Sequence, residues 1–321
     1  MASHGGGPGA AIGIDVGSSN VKAVLLDASL AVVASASRSL TWHRDGDVAE
    51  QDAEALWQAV VDVLAQLGRD GGPGALAEVA SVAVCGQYSS VVPVDAHNEP
   101  VAPMRLYLDQ RGTAHCLAIM ERHPDAFMTW LERHPVPPVG GGLALGHLLS
   151  FQIDSPEVHR AAAAYLEPVD YVTARLTGTR TATQGSVFAW QLVDNRRLGV
   201  TGYDFDLLGM AGVDASRLPQ LVAPDSVVGS VRTDVSEATG LPATAEVRAG
   251  MTDTQAAALA SGVSSGRRGH GQPAGRLGIA IGTTSVVLAS TSKMTADLDH
   301  EVLSMPGISP DRWLVWGENG L

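Results

Sequence analysis

Lysine is nearly missing from this chain: Lys22 and Lys293 are the only two in 321 residues. With 21 basic against 34 acidic side chains the formal net charge is −13, which argues against a nucleic-acid backbone or an anionic membrane as principal partner. A small polar or phosphorylated ligand stays open, because local groups rather than net charge bind those. Cysteine is as scarce. Cys85 and Cys116 stand far apart, so neither a disulfide framework nor a zinc-type spacing can be drawn, and a reducing cytoplasm is the expected compartment. No run approaches the roughly 18 uninterrupted apolar residues of a bilayer span, and the N-terminal MASHGGGPGA lacks the cationic start and apolar core of a secretion signal. Residues 1–9 read as a flexible tail. Two common nucleotide-binding signatures are absent as well. Lys22 has no Ser or Thr after it and no suitably spaced glycine before it, and no G-x-G-x-x-G joins a strand to a helix.

What is present is an α/β pattern, with 45% apolar residues and 36 glycines for tight turns, in a chain longer than one average domain. Residues 11–38 alternate short β-rich runs with turn residues and predict an antiparallel ribbon of three strands. From Asp52 the period changes: Leu56, Trp57, Val60, Val63, Leu64 and Leu67 recur at helical spacing, with Asp52 as N-cap and Gly68 as stop. Strands follow at 79–85 and 91–95 around the turn GQYSS, so a sheet with a covering helix is expected. Helices are expected around 111–121, 125–133, 143–153 and 167–176, with breaks at 135–142 and 175–178. Glu-Arg-His-Pro occurs at 121–124 and again at 132–135. Two helix ends, each stopped by proline, explain it better than a metal-binding pair of His123 and His134.

The most informative feature is a repeat. Gly13-Ile14-Asp15-Val16-Gly17-Ser18-Ser19-Asn20-Val21 returns as Gly278-Ile279-Ala280-Ile281-Gly282-Thr283-Thr284-Ser285-Val286, which points to a duplicated fold. In each copy a β-branched strand meets glycine plus two hydroxyl residues and turns back, a turn whose amides and hydroxyls can hold phosphate oxygens. Taken alone such a turn is an ordinary hairpin; the repeat favours two jaws on one polyphosphate. Only the first copy carries a carboxylate, Asp15, where the second has Ala280, so one Mg²⁺ site is expected, at Asp15.

Further along stand Gly86-Gln87 after a strand, Tyr107-x-Asp109-x-Arg111, Asp170-Tyr171 with Arg175-Leu176-Thr177-Gly178, and Gly250-x-x-Asp253 ahead of Gly282-Thr283-Thr284. In order and approximate spacing this series resembles the FGGY carbohydrate kinases, over about residues 10–321. The resemblance implies an actin-like, ribonuclease-H-like α/β fold. Residues 10–247 would form the N-terminal, substrate-binding domain and 248–321 part of the nucleotide-binding one. It also implies transfer of the ATP γ-phosphoryl group to a hydroxyl of a sugar or polyol, a pentulose such as xylulose favoured. Asp253 takes the position of the general base, a role suited to a carboxylate within reach of an attacking hydroxyl. A plainer reading makes it the N-cap of the helix over Ala256–Leu259. Gln87, Tyr88, Asp109 and Arg111 match substrate positions, although Asp109 and Arg111 can equally pair with each other at the surface. Gly17, Ser18, Ser19, Asn20 and Lys22 on the first hairpin, with Gly282, Thr283 and Thr284 on the second, match the ATP side. The sequence departs from the family at Tyr107, usually tryptophan, at Tyr88-Ser89-Ser90, at Ser150, and at Gln184 and Ser186. Trp130, Trp190 and Trp313 read as core or surface residues.

After Gly282 only 39 residues remain (321 − 282 = 39), against about seventy for the first copy to complete its ribbon, helix and next strand. By resemblance the adenosine-binding glycine motif lies downstream. The chain therefore reads as a kinase truncated in its second domain, with an uncapped sheet prone to self-association and little or no kinase activity of its own. The alternative is a non-catalytic actin-like module that binds sugar or nucleotide. A chaperone- or actin-type ATPase fits less well, since it has no need of the Tyr107–Arg111 segment.

Overall fold

The computed structural model describes residues 9–263, 277–281, 284–297, 299–300, 302–309 and 311–320; the expected tail, apart from Gly9, lies outside the described residues. The opening ribbon forms as the alternation predicts, from β1 (Ala10–Val16), β2 (Asn20–Leu26) and β3 (Val32–Ser39), all antiparallel. Ile12, Ile14 and Val16 turn to one face and Ala11, Gly13 and Asp15 to the other. Two short strands, β4 (His43–Asp45) and β5 (Val48–Gln51), lead into α1 (Ala53–Asp70). Asp52 caps α1 as expected, accepting from the Glu54 and Ala55 N–H groups at 2.9 and 3.1 Å. Gly68 does not end it. A Cβ at that position would lie 2.9 Å from Leu76, so this glycine admits a packed neighbour, and the helix runs on to a cap at Gly71.

Next come β6 (Val79–Gly86), β7 (Val92–Val94) and β8 (Met104–Arg105), then α2 (Thr113–Arg122), α3 (Ala126–Arg133), α4 (Ala144–Asp154) and α5 (Pro156–Ala161). After β9 (Ala164–Leu166) and α6 (Pro168–Thr177) follow β10 (Thr181–Thr183), α7 (Phe205–Ala211), β11 (Gln220–Val222), β12 (Val227–Ser230) and α8 (Thr233–Thr239). The described chain closes with β13 (Glu246–Arg248), β14 (Met251–Thr252), α9 (Asp253–Ala260) and β15 to β19 (Gly278–Ile281, Thr284–Thr291, Ala296–Asp297, Val302–Pro306 and Trp313–Gly320). Both Glu-Arg-His-Pro copies sit at helix ends, with His123 and His134 as the C-caps of α2 and α3.

The main sheet has the order β12-β13-β6-β1-β2-β3, with β14 also on β6. β6 runs parallel to β1, and β13 and β14 run parallel to β6. The division expected after residue 247 falls inside β13, so β13 and β14 are strands of this first sheet. The strand expected at 91–95 is β7, which pairs with β9 in a separate ribbon. One face of the main sheet, with Ile12, Ile14, Val16, Val82 and Val84, is buried with α1, α6 and α8 in a single core. The opposite face, with Gly13, Asp15, Ala83 and Cys85, is only half-buried. A second core gathers Ile119, Trp130, Leu148, Phe151, Trp190 and Leu207. β15 to β19 form an antiparallel sheet in the order β15-β16-β19-β18-β17. It packs Leu288, Met305, Leu314 and Trp316 against Phe188, Ala258 and Val263. The α/β architecture is the expected actin-like fold, with β15, β16 and β19 repeating the opening ribbon.

A candidate active site at the carboxyl ends of three strands

β1, β6 and β14 lie side by side and stop at one level. Their register sets Asp15 and Met251 on either side of Cys85, and Val16 and Thr252 on either side of Gly86. Strand spacings of about 4.8 Å therefore keep the three chains close where Gly17, Gln87 and Asp253 leave the sheet. Gly86 is obligatory: a Cβ there would run into the Val16 backbone. The Val16 carbonyl instead accepts the Gln87 N–H at 2.9 Å.

The cap of α9 is Thr252 and not Asp253. Thr252 Oγ1 accepts the Gln255 N–H at 3.2 Å and Gln255 Oε1 accepts the Thr252 N–H at 3.1 Å, a reciprocal box that satisfies the helix start. Asp253 is then the first helical residue, exposed, with its Oδ1 accepting the Thr254 N–H at 2.6 Å. The helix start favours a negative charge there. Cys85 registers the convergence of two carboxylates: burial pushes its thiol up to about 12, and the charges of Asp15 and Asp253 push the same way. Such a thiol is no nucleophile near neutrality.

Asp15 sits on the half-buried face, its pKa raised by burial and partly restored by Lys22, its cross-strand neighbour. The Lys22 Nζ is 4.0 Å away and both side chains are well exposed, so that pair is weak. Among the described residues no three His, Cys, Asp or Glu cluster as metal ligands. Accessible carboxylates at Asp15 and Asp253 beside a Gly-Ser-Ser turn fit Mg²⁺, which keeps several waters and takes one or two carboxylates.

The first hairpin turn is closed by the Gly17 N–H donating to Asn20 O at 3.0 Å. The Ser18 carbonyl accepts Gln51 Nε2 at 2.8 Å and the Ser19 carbonyl accepts the Leu40 N–H at 2.8 Å. With those carbonyls taken, the turn presents N–H groups and hydroxyls, the chemistry of an anion cradle. Gly282 and Thr283 of the second turn lie outside the described residues, and Thr284 opens β16.

Gln87, the first of the residues matched to substrate, is buried, with Nε2 3.4 Å from Gln51 Oε1 and its own Oε1 unpartnered. Gln51 thereby links the first hairpin turn to Gln87. Tyr88 borders a cavity of about 270 Å³ with His134, Leu143, Phe188, Gln191 and Trp316 among its walls, and no other predicted residue lines it. Asp109 and Arg111 pair, but inside the protein. Asp109 is 0% exposed and accepts Arg111 Nη2 at 2.6 Å and the Ala49 N–H at 3.0 Å, while Arg111 Nη2 also reaches Glu50 at 2.6 Å. Burial works to raise the Asp109 carboxyl, yet these hydrogen bonds and the Arg111 charge hold it below its ordinary value. The Arg111 side chain keeps 29% exposure, so of the pair it is the one open to a ligand.

Behind the site Asp170 Oδ2 accepts Ser186 Oγ at 2.8 Å, and Thr183 Oγ1 donates to the Gly250 carbonyl at 3.4 Å, bracing the segment that carries Asp253. Gln184 is spent on Asn195 and Arg197, and Ser150 on Asp154. Trp130 and Trp190 are core; the Trp313 indole N–H donates to the Asn195 carbonyl at 2.9 Å. His134 is buried and pushed down to about 4 by desolvation, hence neutral. Glu50 and Gln51, which contact Arg111 and Gln87, are residues that motif matching misses, and their only signal is their place ahead of the Asp52 cap.

No helix among the described residues is long and apolar enough to cross a membrane. Residues 10–260 match the FGGY family of carbohydrate kinases, N-terminal domain. A xylulose kinase of Streptomyces rubiginosus is 31% identical over 288 residues, covering 89% of this chain and 55% of the relative. An erythritol kinase of Brucella abortus is 28% identical, covering 92% of this chain and 56% of its own length. The chain thus spans about half the length of these relatives. The crystal structure of xylulose kinase from Rhodospirillum rubrum superposes with a TM-score of 0.83 at 23% identity, over 96% of this chain and 60% of that one, a likeness of fold. A family match over most of the chain, on the fold and motif order described above, leads to one assignment: the chain belongs to the FGGY family of carbohydrate kinases.

Proposed function

We propose that this protein carries out ATP-dependent phosphorylation of a sugar or polyol hydroxyl, a pentulose such as xylulose being favoured by its xylulose kinase relatives. The observation that carries the reading is the common carboxyl end of β1, β6 and β14, which brings a phosphate-binding turn, Asp15 and Asp253 to one place. Asp253 hydrogen-bonds the attacking hydroxyl and takes its proton as the oxygen bonds to the γ-phosphorus and the bond to the β-phosphate oxygen breaks. Gly17, Ser18, Ser19 and Asn20, with Lys22, bind the phosphates from this side; Gly282, Thr283 and Thr284 are assigned to the other. Asp15 would hold Mg²⁺, which neutralises charge on the transferring group. The sugar lies against Gln87, Tyr88 and Arg111, with Asp109 orienting the guanidinium and the cavity beside Tyr88 receiving the carbon chain. β15 to β19 are assigned to the second, nucleotide-facing domain.

The test is transfer from ATP to D-xylulose and erythritol, followed by mass spectrometry of the sugar phosphate, alongside calorimetric binding. The expected result, in place of the little or no activity that the sequence alone led to, is transfer that Asp253→Asn lowers by about 10²-fold or more while sugar affinity persists. Transfer that survives the substitution would remove Asp253 from the role. Sugar binding with no transfer would select the non-catalytic module.

A further inference from the structure

Two walls of the cavity are built around strained backbone. Ser89, next to Tyr88, has φ +62°, and Gln191, which ends the short 3-10 helix 188–190 that carries Phe188, has φ +60°. Neither is glycine, and residues held there persist only when their surroundings over-determine them. Glu167, directly ahead of α6, touches both walls. Its Oε2 accepts the Ser90 N–H at 3.1 Å and its Oε1 accepts the Trp190 indole N–H at 2.7 Å. Glu167, Ser90 and Trp190 are all 0% exposed. The wall segments are held from other sides by Ser89 Oγ donating to the Gly142 carbonyl at 3.0 Å and by the Trp130 indole donating to the Gln191 carbonyl at 2.8 Å. The Glu167 carboxylate ties one to the other.

We propose that Glu167 is a positioning residue whose carboxylate clamps the Tyr88 loop to the Phe188 turn and so sets the gap that receives the sugar. This rests on reading the cavity as part of the sugar site. The chemistry requires a carboxylate: each oxygen faces an N–H donor, and an amide at this position can accept from only one of them. Burial drives the Glu167 carboxyl well upward in pKa and the Asp170 charge pushes the same way, while the N–H groups of Ser90, Trp190 and Ser89 oppose both by stabilising the charge.

The experiment compares the intact chain with Glu167→Gln, Trp190→Phe and the double substitution. Amide hydrogen exchange of segment 87–91 is read without ligand, and D-xylulose and erythritol affinity by calorimetry. Glu167→Gln sets an N–H group against an N–H group. Exchange at Ser90 should then quicken, and sugar affinity fall, by about tenfold or more, with ATP affinity unchanged. Adding Trp190→Phe removes the opposing donor, so Ser90 exchange should return toward that of the intact chain, while sugar affinity stays at the lowered level of Trp190→Phe alone. A double substitution no better than Glu167→Gln alone would reduce Glu167 to filling space and overturn the proposal, as would unchanged exchange in Glu167→Gln. If Glu167→Gln does not fold, Trp190→Phe decides. It should weaken sugar binding while Ser90 stays protected, and lost protection there would overturn the clamp. An intact chain that binds neither sugar, with the exchange pattern as expected, would overturn the sugar reading and leave the clamp standing.

Discussion

The two copies of the repeat form the same ribbon and bury opposite faces of it. Ile12 and Ile14 on β1 are each 1% exposed beneath α1, whereas Leu277 and Ile279, at the matching positions of the second copy, are 70% and 68% exposed. The cross-strand neighbours follow suit: Ala23, opposite Ile14, is buried, and Val287, opposite Ile279, is exposed. Conversely Val24, opposite Gly13, is half-buried, while Leu288, opposite Gly278, is buried against Phe188, Ala258 and Val263. A hairpin pattern therefore specifies strand pairing, and the elements packed on it decide which face becomes core. The difference extends to chemistry. The first sheet gains parallel strands β6, β13 and β14, and parallel strands deliver their carboxyl ends, with Asp15, Gln87 and Asp253, to one edge; the second sheet is antiparallel throughout its described strands.

Substituting matched positions breaks or sharpens that contrast. The largest effect is expected at Gly86, where an alanine Cβ meets the Val16 backbone and the parallel pair β1–β6 must part. Gly86→Ala should cost about 4 kcal/mol or more, or prevent folding outright. Gly278→Ala in the second sheet meets first the Ser261 hydroxyl, at 2.6 Å, which can turn aside, so its cost should be far smaller. Urea unfolding of both variants checks the pair, and equal midpoints would remove the distinction. Ile14→Ala comes next, with an expected loss of about 3 kcal/mol from a buried site. Ile279→Ala should stay within about 0.5 kcal/mol. An Ile279→Ala loss matching that of Ile14→Ala would show that its face is covered in solution.

The ribbon, the Asp52 cap, α1 and the helices α2, α3, α4 and α6 were legible because each is set by neighbours a few residues away, whereas the short α5 was missed. Gly17 and Gln87 follow β1 and β6, strands that alternation reveals, whereas Asp109 and Asp253 follow the two-residue strands β8 and β14, too short for any alternation. What escaped depends on long-range partners. Arg111 meets Glu50 from 61 residues away, and Glu167 meets Ser90 from 77, separations no local pattern carries. Gly68 looks like a helix stop and is a packing site for Leu76. Asp253 looks like a cap because cap and first-turn residues share a composition; only the Thr252–Gln255 reciprocity separates them. Burial of the repeat was unreadable in principle, because Gly13-Ile14 and Gly278-Ile279 are identical in sequence and opposite in environment.

Titration separates the two regions by a smaller amount and in sign. In the first, Asp170 is fully buried, with Oδ1 unpartnered, and desolvation pushes it up to about 8 against the hydrogen bond from Ser186. In the second, exposed Asp297 is lowered by its hydrogen bond to His300, a contribution that solvent screens. A folded-state pKa above the unfolded one means the native state holds a proton that the unfolded chain has released. The stabilisation from Asp170 is thus complete below its ordinary 3.8 and is lost as pH rises toward about 8. The urea midpoint of the intact chain should therefore fall between about pH 5 and pH 8 relative to that of Asp170→Asn, whose neutral amide mimics the protonated acid. Glu167 is raised by the same desolvation and in part by the Asp170 charge, so the comparison reads the two neighbouring carboxyls together. Parallel pH profiles for the two would mean that water or a cation reaches Asp170 and keeps it ionised beside the strand that carries Asp253.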